Sequence, residues 1–146
     1  MIAITTTLIF WAIGLFFLIR FSWMDLKTSE VENKEIMPFL LIGVVFSLII
    51  NNLIVAGCLC LFMGILGAFL WKKNALGGAD VKILAVLPLY LQSMRITSPY
   101  VLVWFFLILF LVLGSIYGLT CKYFLRRNNV PFVPVITICY VILYLI

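Results

Sequence analysis

The sequence contains no histidine, and only 10% of its 146 residues are charged. Histidine is the commonest general base and metal ligand in proteins, so this chain has no access to the usual histidine-dependent hydrolase or zinc chemistry. Acidic groups are also scarce, since the sequence has two aspartates and three glutamates. Any acid-base chemistry therefore depends on very few carboxyl groups.

Other familiar motifs are missing as well. The four cysteines include no C-x-x-C pair, which argues against the usual zinc and redox sites. There is no glycine-rich phosphate-binding loop and no hydrolase-type serine elbow. The net charge of +5 is spread over short segments and forms no basic stripe, so no nucleic-acid partner is expected. Neither a cofactor nor a metal is predicted.

Long apolar runs dominate the sequence, in which 66% of the residues are hydrophobic. A helix of about 20 apolar residues crosses a bilayer. We therefore expect an all-α, polytopic membrane helix bundle with six transmembrane helices, forming a single membrane domain over residues 1–146. The runs are residues 2–19, 36–50, 53–71, 96–121 and 130–146, with a sixth, shorter run that follows Lys82, contains Pro88 and ends at Met94. We expect this fourth helix in chain order to be kinked at Pro88 or to cross only part of the bilayer.

The basic residues predict the orientation of the bundle. With six alternating spans, nine of the ten lysines and arginines fall on one side, and only Arg95 falls on the other. The positive-inside rule then places both termini outside and the three basic segments in the cytoplasm. The nine residues are Arg20, Lys27, Lys34, Lys72, Lys73, Lys82, Lys122, Arg126 and Arg127.

Both aspartates reach the cytoplasmic side of this topology. Asp25 follows the first span, and Asp80 lies behind the pair Gly77 and Gly78 at the expected start of the fourth helix. Carboxyl groups at membrane depth are costly and usually functional. Two that share a site cannot both ionise easily, so one can take a proton from water while the other polarises a peptide carbonyl. The pair therefore predicts aspartyl peptide hydrolysis.

Each aspartate also has a structural interpretation. Asp80 is placed where a helix cap is common, and Asp25 lies near Lys27 as an ordinary interfacial charge would. If the pair is catalytic, the helix dipole alone predicts that Asp80 ionises more readily than Asp25.

The surroundings of the pair suggest how a substrate would be held. Gly77 and Gly78 lack Cβ atoms and so allow an extended chain to come close. Lys27 and Lys82 either orient the aspartates or attract anionic lipid headgroups. Further along, Pro131 and Pro134 keep the start of the last span irregular, which is either loop geometry or one wall of a binding groove.

Two segments resemble the type IV prepilin and preflagellin (archaellin) peptidases, membrane aspartyl proteases with a G-x-G-D motif. DLKTSEVEN, residues 25–33, is similar to the first family segment, with Lys27, Val31 and Asn33 at the matching spacings after Asp25. GGADVK, residues 77–82, is similar to the second. The six-helix pattern extends the resemblance over essentially the whole chain.

The resemblance implies that Asp25 and Asp80 are the catalytic pair, supported by the motif residues Gly77, Gly78, Ala79, Lys82, Lys27 and Asn33. It also implies that the enzyme removes a short basic leader from pilin-like or archaellin precursors at the cytoplasmic membrane face, in contact with membrane lipid. Two positions depart from the family pattern. Ala79 replaces the second glycine of the motif, and Glu32 stands where many members have proline.

Two other functions are compatible with the same residues. A small ion- or proton-coupled transporter would use Asp25 and Asp80 as relay groups, although such sites usually lie near the bilayer midplane between internal repeats, and no repeat is visible. A non-catalytic membrane partner in pilus assembly would tolerate exchange of either aspartate for asparagine.

Overall fold

The computed structural model describes residues 2–28, 31–50, 52–73, 75–92, 99–123 and 130–145, with the side chains of residues 2–6 and 99 left aside. Within these ranges the chain is helical, with short connecting segments and no strand. The expected all-α class is therefore confirmed for the described residues. The helices are α1 (Ile2–Thr28), α2 (Asn33–Ile49), α3 (Leu53–Lys72), α4 (Gly78–Val86), α5 (Pro88–Leu91), α6 (Pro99–Tyr123) and α7 (Val133–Leu145).

Helix α1 continues well past the end of its apolar run at Ile19. It reaches Thr28, so Asp25 belongs to its last turn. Because Asp25 is part of this helix, the α1 backbone fixes the direction in which its side chain points.

Helices α4 and α5 are two parts of one interrupted helix, as Pro88 predicted. Proline has no N–H to donate to the carbonyl four residues earlier. The neighbouring bonds persist, since Leu87 N–H donates to the Ile83 carbonyl (2.9 Å) and Leu91 N–H to the Leu87 carbonyl (3.1 Å). The interruption is therefore local.

Helices α1 and α7 pack side by side in antiparallel directions along what we call the α1–α7 seam. Gly14 lies against Tyr140, and the hydroxyl groups of Ser22 and Thr137 are hydrogen-bonded at 2.7 Å. A Cβ atom at Gly14 would stand only 2.6 Å from the Tyr140 hydroxyl, so the helices could not approach this closely with any other residue there. The seam holds the end of α1 next to the beginning of α7.

Helix α4 packs against α3 and α2 and thereby places Asp80. Gly67 faces Val81, and Gly64 faces Ala85, so small residues on α3 allow α4 to approach closely. Beyond the break, the Tyr90 hydroxyl donates to the Phe39 carbonyl of α2 at 2.6 Å, and their rings stack with centroids 4.3 Å apart.

The outer surface of the bundle is apolar, as expected of a membrane protein. Three helical stretches are long and apolar enough to cross a bilayer: Thr7–Thr28, Leu53–Lys72 and Tyr100–Tyr123. Large hydrophobic side chains such as Ile54, Leu61 and Ile65 are mostly exposed on this surface, which suits contact with lipid. The remaining helices are shorter, and Arg95, Arg126 and Arg127 lie outside the described residues. Six spans and the orientation of the termini therefore stay predictions.

Candidate active site

Asp25 and Asp80 are buried at the same end of the bundle. Their exposed fractions are 3% and 2%, although charged side chains are rarely fully buried without a partner. Asp25 projects from the last turn of α1, and Asp80 is the third residue of α4. The structure thus brings together the two groups that the sequence had placed on one side.

Asp80 is only half explained as a helix cap. Its Oδ2 accepts a hydrogen bond of 2.9 Å from the Gly77 N–H, which is one half of a capping box. Gly77 has no side chain to complete the other half. Oδ1 is buried and has no hydrogen-bond partner among the described residues. A buried carboxyl oxygen left unpaired is costly, so the cap does not account for the whole group.

Asp25 is held by the beginning of α7. Its Oδ2 accepts a hydrogen bond of 3.2 Å from the Val133 N–H, which is buried. Pro131 and Pro134 have no N–H to offer, so the donors at this end of α7 are the amides of Phe132 and Val133. The Phe132 amide lies close enough to Asp80 to favour its charged form. Two successive amides of one backbone segment therefore face the two carboxyl groups.

The electrostatics of Asp80, which lies outside the three long apolar stretches, differ from the expectation based on the helix dipole. Burial, and after it the neighbouring Asp25 carboxylate, raises the pKa of Asp80 to about 7, although the Gly77 and Phe132 amides act in the opposite direction. Asp80 thus keeps its proton up to near-neutral pH. Desolvation at Asp80 therefore acts against the helix dipole on which the prediction of easier ionisation rests.

The glycine pair leaves open space beside Asp80. Gly77 and Gly78 are exposed, and a Cβ atom at Gly78 would have no neighbour within 4 Å among the described residues. A Cβ atom at Gly77 would stand 3.0 Å from Asp80 Oδ2, which is closer than ordinary packing allows. Ala79 points the other way and is buried, so its methyl group does not narrow this space.

The other motif residues are not gathered at the acids. Lys27 is exposed, with its Nζ atom 5.3 Å from the centre of the Trp23 ring, and Lys82 and Asn33 are exposed on their helices. Among the described residues neither lysine forms an ion pair with Asp25 or Asp80. Within the described ranges no three histidine, cysteine, aspartate or glutamate side chains lie close enough to hold a metal ion together.

Sequence reasoning missed the amides of Phe132 and Val133. A backbone N–H carries no signature of its own, and Val133 is 108 residues from Asp25. The available signal was the pair Pro131 and Pro134, which brackets the two amides and had suggested either loop geometry or the wall of a groove.

Comparison with known proteins agrees with the motifs. No curated protein and no solved structure gives a match to the chain. A family model described as the type IV leader peptidase family matches residues 12–146, a range that includes Asp25, Asp80 and the amides of Phe132 and Val133. The chain therefore belongs to the type IV leader peptidase family.

Proposed function

We propose that the chain is an aspartic endopeptidase that removes the short basic leader from type IV pilin-like or archaellin precursors. One observation carries the proposal: two buried carboxyl groups face two successive amides, and one carboxyl oxygen, Asp80 Oδ1, lacks a partner among the described residues. An unpaired oxygen of this kind is suited to meet a substrate carbonyl or a water molecule. Membership of a leader peptidase family supports the reaction class.

The raised pKa of Asp80 assigns the roles within the pair. Protonated Asp80 donates a hydrogen bond to the oxygen of the scissile carbonyl, while ionised Asp25 takes a proton from a water molecule. The water oxygen then bonds to the carbonyl carbon, and Asp80 transfers its proton to the carbonyl oxygen. As the carbon-nitrogen bond breaks, Asp25 gives its proton to the leaving amine, and a hydroxyl group of the tetrahedral intermediate returns a proton to Asp80. The cycle uses no covalent intermediate and no cofactor.

The open strip at Gly77 and Gly78 is where an extended substrate backbone would lie. A peptide bond is attacked only when its carbonyl is accessible, so the region around the cleavage point must be unwound from any helix. Because a Cβ atom at Gly78 would meet none of the described residues within 4 Å, a second chain can approach there without displacing any of them.

We place the enzyme in the cytoplasmic membrane as a single six-span domain over residues 1–146, with both termini outside and the site at the cytoplasmic face. The charge bias of the sequence supports this orientation. Lys27, Lys72 and Lys82 are exposed at or near the end of the bundle that carries the acids, where they suit anionic lipid headgroups rather than the carboxyl pair.

The test is a cleavage assay with leader-bearing precursors co-expressed in membranes. Wild type should shorten a precursor, while Asp25→Asn and Asp80→Asn should each lose roughly 10²- to 10⁴-fold in rate, the range expected for an acid-base group. Glu32→Gln, which makes the same carboxyl-to-amide change at an exposed ion pair with Lys34, should cleave as wild type does.

Normal cleavage by either aspartate variant would refute the paired mechanism. If wild type cleaves nothing and both aspartate variants still support pilus assembly, the non-catalytic assembly function is favoured instead. Proton-coupled uptake that is lost in both variants would favour transport.

A further inference from the structure

An apolar cavity of about 470 Å³ lies between the end of α3 and helix α6. We call it the α6 cavity, and its wall includes Leu76, Gly114, Gly118 and Phe132. The ring of Phe132 lies along the two glycines of α6, 3.6 Å from a Cβ atom built at Gly114 and 3.4 Å from one built at Gly118. The Phe132 ring can pack this closely against α6 because both positions lack side chains.

Two wall residues of the α6 cavity are next in sequence to the amides that bind the carboxyl pair. Leu76 directly precedes Gly77, whose amide binds Asp80, and Phe132 directly precedes Val133, whose amide binds Asp25. Consecutive Cα atoms are about 3.8 Å apart, so each of these wall residues is one step from a group that touches an acid. A peptide bond held between the acids would therefore have its neighbouring side chains within reach of the cavity.

The chemistry of the wall selects an apolar occupant. Among the described residues of the wall, Ser115 alone carries a hydroxyl, and this hydroxyl donates to the Leu111 carbonyl of its own helix at 2.6 Å. A polar side chain that entered the cavity would therefore lose its hydrogen bonds to water and gain few in return. By comparison, an apolar protein cavity of about 150 Å³ holds a benzene molecule. The α6 cavity is large enough for a leucine or an aromatic side chain.

The mouth of the cavity opens on the outer, lipid-facing surface. Leu111 and Leu119, which line it, are both 57% exposed, and Ser115 beside them is exposed too. A second apolar cavity of about 300 Å³ shares Leu70, Phe110 and Leu111 with it and continues along α6 as far as Trp104. From Trp104 to Gly118 the helix rises about 21 Å, so the groove follows a large part of a bilayer. A precursor helix that moves within the membrane can enter from this side.

We infer that the α6 cavity binds a large apolar side chain of the precursor, at a residue next to the scissile bond. The inference rests on the proposed peptidase function and adds a substrate subsite to it. In extended backbone successive side chains point to opposite faces at a rise of about 3.3 Å, so one face near the cleaved bond turns to the acids and the other to the cavity. Gly114 and Gly118 set the size of the side chain that fits.

The test narrows the cavity and varies the precursor. Gly114→Leu places a side chain in the space, while Gly57→Leu makes the same change where a Cβ atom has no neighbour within 4 Å. Ser115→Leu narrows the mouth at an exposed position, where a loss of folding is not expected. Each enzyme is assayed with one precursor and with derivatives in which single apolar residues within three positions of the cleaved bond are changed to alanine.

We expect Gly114→Leu and Ser115→Leu to slow cleavage of the precursor about 10- to 100-fold, as steric loss of an apolar subsite does. One alanine derivative should escape most of this penalty, and Gly57→Leu should behave as wild type with every precursor. Equal slowing of all derivatives, or no slowing at all, would overturn the inference. A penalty that changes with lipid chain length and not with the precursor residue would identify a lipid chain as the occupant and would overturn it too.

The two proposals fail in different ways. If wild type and Asp80→Asn are equally inactive, the peptidase function is wrong and the subsite falls with it. If wild type cleaves and Asp80→Asn does not, the pattern of precursor derivatives alone decides the subsite.

Discussion

The two acids are approached by very different parts of the bundle. The α1–α7 seam beside Asp25 is closed by glycine-to-tyrosine contact at Gly14 and by hydroxyl bonds at Ser22 and Thr137. On the side of Asp80, the α6 cavity leaves about 470 Å³ between the described side chains. One side therefore fixes the geometry of the pair, and the other leaves room for a partner. The proposed peptidase function requires both.

The largest expected effect concerns Asp80 and pH. In the unfolded chain Asp80 titrates near 3.8, whereas in the folded protein its pKa is about 7. Between these values the folded state keeps a proton that the unfolded state has lost, so the contribution to stability is complete below pH 3.8 and declines as the pH rises to about 7. The decline is on the order of 4 kcal/mol.

Asparagine cannot ionise, so the stability of Asp80→Asn should fall much less than that of wild type as the pH rises. At pH 8 the variant should therefore unfold at a higher temperature than wild type. Thermal unfolding in detergent at pH 5 and pH 8 measures the difference. If the unfolding temperatures of wild type and Asp80→Asn depend equally on pH, the Asp80 carboxyl is not desolvated in the folded protein.

The next effect compares one substitution at three glycines. Gly14→Ala should destabilise the protein by about 1 to 3 kcal/mol, because its Cβ atom would stand 2.6 Å from the Tyr140 hydroxyl and 2.9 Å from the Tyr90 ring. Gly114→Ala meets Phe132 at 3.6 Å, an ordinary contact, and Gly57→Ala meets nothing within 4 Å. These two should be neutral or stabilised by up to about 1 kcal/mol, since alanine favours helix.

Unfolding of the three alanine variants in one detergent gives the ranking. If Gly14→Ala is as stable as Gly114→Ala, the seam is not closely packed, and the contrast between the two sides disappears.

The smallest effect concerns the hydroxyl bonds of the α1–α7 seam. Thr137→Val keeps the shape of the side chain and removes its bond to Ser22 and its donation to the Val133 carbonyl (3.0 Å) or the Leu18 carbonyl (3.2 Å), so we expect a loss of about 1 kcal/mol. Thr120→Val is the control, because the Thr120 hydroxyl is exposed and bonds the Ile116 carbonyl of its own helix. A cycle with Ser22→Ala tests whether the loss comes from the shared bond.

Periodic and local features of the fold were readable from the sequence. The apolar runs predicted the helices, and Pro88 predicted the interruption between α4 and α5, because both depend on neighbouring residues. The placement of Asp25 and Asp80 at one end followed from counting alternating helices. Their contact with a common backbone segment could not be predicted in this way, because the amides of Phe132 and Val133 come from the far end of the chain.

Quantities set by packing could not be read in this way. The raised pKa of Asp80 depends on what surrounds it in three dimensions, and the sequence shows only the dipole of its own helix. The α6 cavity depends on Phe132 lying beside Gly114 and Gly118, a contact that is set by how the beginning of α7 packs against α6. The positions of the glycines in the sequence did not show which glycines border a cavity and which allow two parts of the chain to pack closely.

The bond between Asp25 and the Val133 amide also sets when the site can exist. The two residues are 108 positions apart, and synthesis at about 5 to 20 residues per second separates them by roughly 5 to 20 s. During that interval a nascent chain carries Asp25 and then Asp80 without the amides that receive them. Both acids are made before helix α7 emerges, so a nascent chain has not yet brought the two carboxyl groups and these amides together.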